Sequence, residues 1–135
     1  MEPIVIEQTS DFINGGCNAC PTVKCFHYVV NYHEKKRALD GLLIESLVSE
    51  LAMCEGFSQK MILDFDEEII QFYKGDQMIT LHETGDNITY QTSTAKVIVT
   101  RRDNQTIDSI FVKAATILQE LFAIQEVTFQ LTIQE

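Results

Sequence analysis

Basic residues are scarce in this chain. Ten lysines and arginines stand against twenty acids in 135 residues, a formal net charge of -10. Such a balance repels phosphate backbones and anionic headgroups, so neither direct nucleic-acid binding nor membrane-surface binding is expected. Long apolar runs are missing too: the longest, from 38 to 57, is broken by Asp40, Glu45, Glu50 and Glu55, each costing about 3 kcal/mol at the centre of a bilayer. The opening Met1-Glu2-Pro3-Ile4-Val5-Ile6-Glu7 carries acid where a secretory leader needs positive charge, which points to a cytoplasmic protein. No G-x-S-x-G elbow, phosphate-cradling glycine loop, dinucleotide fingerprint or H-E-x-x-H pair is present. A non-enzymatic role is therefore expected before a catalytic one. Linkers and low-complexity tracts are also absent, so residues 1–135 read as one domain.

What is present is an ordinary globular composition, 45% hydrophobic and 22% charged, enough apolar material to build a core without disulfide or metal. A short N-terminal strand is followed by a region, residues 8–24, without apolar periodicity, which reads as a long loop. The aromatic and β-branched run 25–32 reads as a strand. Leu39, Leu43, Leu47, Leu51 and Cys54 recur at helical spacing, with Gly56 as the stop. Five short runs between 60 and 101, separated by turns such as Gly75-Asp76 and Gly85-Asp86-Asn87, describe an antiparallel meander. Ile107 to Phe122 forms a second amphipathic helix, and the strict alternation of 127–133 a closing strand. The expected fold is α+β: one antiparallel sheet of about five to seven strands with both helices on one face. The order of strand, helix and strand run over 25–101 resembles that of hotdog-like domains, without a matching catalytic motif.

The chemistry-bearing feature is Gly15-Gly16-Cys17-Asn18-Ala19-Cys20-Pro21-Thr22-Val23-Lys24-Cys25-Phe26-His27. Two cysteines separated by two residues can aim both sulfurs into one tetrahedron from a tight turn, and glycines let backbone N–H groups approach the thiolates. Cys25 and His27 lie on one face of the expected strand, about 7 Å apart. The expected site is a structural zinc held by Cys17, Cys20, Cys25 and His27, with Cys54 and His33 as alternative ligands. An iron–sulfur cluster or a thiol redox pair is the competing reading, favoured if Cys54 is recruited. The stretch 16–22 resembles the C-x-x-C-P loop of NifU-type iron–sulfur scaffold domains, and that resemblance implies a cluster shared between two subunits. In a reducing compartment the remaining reading is that these are unligated thiols.

A second cluster, Asp64, Asp66, Glu67 and Glu68, lies at a strand junction in the most acidic third of the chain. It lacks the regular ligand spacing of a calcium loop. It is the expected surface for a basic protein partner, as an inhibitor, immunity protein or nucleic-acid mimic would present. Exposed sheet edges also admit a homodimer.

Overall fold

Residues 3–13, 23–64 and 67–134 are described by a computed structural model, and their strands fall into two sheets. The chain runs β1 (Ile4–Ile13), β2 (Val23–Tyr32), β3 (Lys35–Leu39), α1 (Ile44–Cys54), β4 (Ser58–Asp64), β5 (Glu67–Lys74), β6 (Gln77–Thr84), β7 (Asn87–Gln91), β8 (Lys96–Thr100), α2 (Ile107–Glu120) and β9 (Phe129–Ile133). A four-stranded sheet has the order β3-β2-β1-β9, antiparallel except for the parallel pair β1–β9. The other sheet is the antiparallel meander β4-β5-β6-β7-β8.

The α+β class with two helices is as expected, but nine strands in two sheets replace the single sheet of five to seven. Two stretches account for the difference. The supposed loop begins later and ends earlier, because Gln8 to Ile13 prolong β1 and pair with Val23 to Tyr28 of β2. Their polar side chains hide the period of two. Lys35 to Leu39, of which Leu39 was expected to open the helix, forms an edge strand whose basic residues guard its open side. The first helix accordingly starts at Ile44 instead of Leu39.

Helix termini follow the sequence closely. Thr106 caps α2 by accepting a hydrogen bond from the Ser109 N–H at 3.2 Å. At the other end of α1, Gly56 adopts φ +95° while the Gly56 and Phe57 N–H groups donate to the carbonyls of Met53 and Ala52. That reversal satisfies the last turn and swings Phe57 back into the core. Its ring lies 5.1 Å from that of Phe122.

Each sheet turns one face to a shared core. Ile4, Ile6, Val30 and Leu39 come from the four-stranded sheet and Phe72, Ile79, Leu81, Ile88, Tyr90 and Val99 from the meander. The second helix and the segment just after it touch both: Phe111 of α2 stacks on Phe129 at 5.2 Å, and Phe122, two residues past α2, meets Phe72 edge-on at 5.4 Å. Burial of these aromatic and aliphatic side chains, about 1.5–3 kcal/mol each, holds the two sheets to the helices.

Candidate functional site

The β1–β2 ladder is longer than the sheet around it. The last strand pairs with β1 only over Ile4–Gln8, and β3 with β2 only over Tyr28–Tyr32. Among the described residues, Thr9–Ile13 and Val23–His27 therefore pair only with each other, a two-stranded ribbon beyond the sheet. Cys25 and His27 stand on one face of it, opposite Asp11 and Thr9. The thiol is partly buried and the imidazole exposed. On the opposite face Phe12 and Phe26 are 65% and 48% exposed, and the Lys24 ammonium lies 5.4 Å from the Phe26 ring. Cys17 and Cys20 fall in 14–22, outside the described residues.

The alternative ligands stand elsewhere. His33 follows the far end of β2, roughly 25 Å from Cys25 by strand rise, with its Nε2 3.5 Å from Glu55. Cys54 ends α1, one residue before Glu55, and is partly buried. The described residues contain no group of three histidines, cysteines or carboxylates able to hold a metal. In the acidic cluster, Asp64 and Glu67 are paired positions of the β4–β5 hairpin. Glu68 is exposed, and Asp66 lies outside the described residues.

The concavity of this fold sits at the opposite end of β2 from Cys25. A cleft of about 790 Å3 is enclosed by the start of β1, the β2–β3 turn, the end of α1, the β5–β6 turn and the connector from α2 to β9. Ile4, Phe57, Phe122 and Val127 make its apolar floor, and Tyr32 and Ile124 its flanks. Around the mouth lie Glu34, Glu55 and Glu126, with His33 and Lys74. The Lys74 ammonium donates to the Glu55 carbonyl at 2.7 Å and rests 5.6 Å from the Phe57 ring. It occupies the negative end of the α1 dipole.

The backbone of this rim is unusual. Among the described residues the non-glycine positions with left-handed φ are His33 (50°), Glu34 (64°), Ala123 (56°) and Glu126 (52°), and all four line the cleft. Each costs on the order of 1–2 kcal/mol relative to glycine. His33-Glu34 form a two-residue hairpin turn, a place normally given to Asn-Gly. Ala123 fills the role a glycine usually takes after a helix, with the Ile124 N–H donating to the Leu118 carbonyl at 3.1 Å. The Val127 N–H is accepted by the Gln119 side chain at 2.8 Å, which fixes the connector. Strained backbone gathers where surrounding structure imposes it, and such places are often functional. No turn signal in the sequence marks His33-Glu34, and Ala123 to Glu126 read as a mere gap between helix and strand.

A shallower pocket of about 260 Å3 between α1 and the meander holds Asp40, Glu45, Glu50 and Glu83. Arginines answer three of these four acids: Arg101 reaches Glu45 at 3.5 Å and Glu83 at 3.0 Å, and Arg37 reaches Glu50 at 3.4 Å. Beside it Tyr90 is fully buried, with no hydrogen-bond partner for its hydroxyl among the described residues. Burial pushes that hydroxyl far above the usual tyrosine range; Glu45 and Glu83 add to the shift, and Arg101 opposes it. This pocket is largely an internal ion-pair network.

Fold and cleft together define an α+β protein with a recess of small-molecule size at one end and a β-ribbon at the other. No helix among the described residues is long and apolar enough to cross a membrane. The chain belongs to the family described as Domain of unknown function (DUF4809), whose model matches residues 1–131. Neither a curated protein nor a solved structure gives a significant match.

Proposed function

We propose that this protein is a small, non-enzymatic, cytoplasmic binding protein of regulatory type, which takes an amphipathic small molecule in the cleft and a protein partner on its exposed strands. The observation that carries this reading is the meeting of four left-handed non-glycine residues on the wall of an apolar-floored 790 Å3 cleft. Cavities of this volume suit molecules of drug-like size. The test is a small-molecule fragment screen read by chemical-shift changes and thermal shift, on the wild type and on Ile124→Trp, which fills the recess. Ligands that raise the wild-type Tm and fail on the filled variant support it. Ligands that bind both alike, or the absence of any cleft ligand, refute it.

A second reading concerns the ribbon. Cys25 and His27 share one face two residues apart, on the strand that follows Cys17 and Cys20 in the chain. A structural zinc, or alternatively an iron–sulfur cluster, would use Cys17, Cys20 and Cys25 as thiolate ligands. Elemental analysis of anaerobically purified protein tests this: stoichiometric metal lost in a Cys17→Ser, Cys20→Ser variant supports it, and metal-free wild type rejects it. For the partner, Tyr73, Met78 and Ile98 stand exposed on the outward face of the meander, a surface suited to a protein or to a second copy. Capture of a basic protein weakened by charge reversal at Glu68 would point to the acidic hairpin instead.

A further inference from the structure

Resting on the reading of the cleft as a ligand site, we infer that its ligand is an organic cation, an ammonium carried on an apolar body. Three carboxylates face one lysine and one histidine around the cleft. Both basic groups are already engaged with the wall: Lys74 with the Glu55 carbonyl and the Phe57 ring, His33 with the Glu55 carboxylate. Glu34 and Glu126 have no hydrogen bond or ion pair with any described residue. These two acids are exposed to solvent and occupy two of the four left-handed positions, at the mouth of a recess whose wall includes the half-buried Tyr32. The Tyr32 ring and the carboxylates favour the same kind of guest, a cation that can shed part of its water.

Lys74 shows that chemistry on the wall itself. Its alkylammonium lies against an aromatic ring with a carbonyl as acceptor. An anionic guest would meet two unpaired acids in a chain of net charge -10, and a neutral one would gain nothing from them. The apolar floor supplies a place for the body of the guest, and Glu34 and Glu126 for its charge. The contrast with the smaller pocket supports the assignment, because there Arg37 and Arg101 already answer Glu45, Glu50 and Glu83.

Isothermal titration with three size-matched probes tests the inference: 4-phenylbutylammonium, 4-phenylbutanol and 4-phenylbutyrate. The ammonium is expected to bind about tenfold more tightly than the alcohol, and the carboxylate more weakly than both. In Glu34→Gln, Glu126→Gln protein the ammonium should lose most of that advantage while alcohol binding stays unchanged. Raising salt should weaken only the ammonium. If alcohol or carboxylate binds in the cleft as tightly as the ammonium, the cationic assignment falls and the cleft remains a ligand site. If none of the three shifts cleft resonances, both fall together.

Discussion

The two ends of the β1–β2 ladder are built from one pair of strands and have opposite characters. At one end Ile4, Ile6 and Val30 are buried, flanked by β3 and β9, and lead into turns that close over a cleft. At the other, Phe12, Val23 and Phe26 are exposed, with no third strand beside them among the described residues. An isolated two-stranded ribbon is marginally stable in water. The difference teaches that strand pairing alone does not bury side chains here; membership of the shared core does.

The largest effect that could break this comparison is expected at Phe122, which contacts both Phe57 and Phe72. Phe122→Ala should cost about 3–5 kcal/mol in urea unfolding. A loss below 1 kcal/mol would mean that the cleft end is not anchored by these rings. Next comes Tyr90, whose hydroxyl has no hydrogen-bond partner among the described residues and lies beside the smaller pocket. The unfolded chain releases this proton near pH 10, whereas the folded one retains it well above that. Stability is therefore unaffected below about pH 10 and falls as pH rises past it. Tyr90→Phe should gain up to about 1 kcal/mol at pH 8 and lessen the decline between pH 10 and 11, measured by urea midpoints. A decline of equal steepness in the variant would place the titrating group elsewhere.

A smaller effect sharpens the contrast at the connector. Ala123→Gly removes the left-handed penalty at φ 56° and should raise stability by about 0.5 kcal/mol, after the extra entropy of the unfolded glycine is counted. A destabilised variant would show that the Ala123 methyl has a packing role that outweighs its backbone cost. The smallest effect is predicted on the ribbon: Phe26→Ala, at an exposed site with Lys24 as its neighbour, should change the unfolding free energy by about 0.5 kcal/mol or less. A cost approaching that at Phe122 would abolish the distinction between the two ends.

The parts of this structure legible in the sequence are those governed by neighbours in the chain. Gly75 and Gly85 have the positive φ their hairpins require, α2 keeps its apolar stripe, and Gly56 stops α1 as expected. What escaped was a hairpin whose turn lacks the usual turn residues and a pairing of distant segments. Nothing local in Lys35 to Leu39 announces an edge strand, and the parallel pairing of β1 with β9 joins segments from the two halves of the sequence. The cleft was hidden for a further reason: its rim uses His, Glu and Ala where turn chemistry favours Asn or Gly. The cysteine pattern was conspicuous instead, and it drew attention to the end of the ladder opposite the cleft.

The parallel contact that sets Ile4 beside Phe129 also bears on the order of events during folding. Meander hairpins close over a few residues and can form early, whereas this ladder must wait for a search across nearly the whole polypeptide. Only when Phe129 to Ile133 dock does the segment 123–127 gain both of its anchors. Pulsed hydrogen exchange during refolding should accordingly protect Phe72 and Ile79 amides before that of Ile4, with the binding recess among the last parts to mature; simultaneous protection would contradict this sequence of steps.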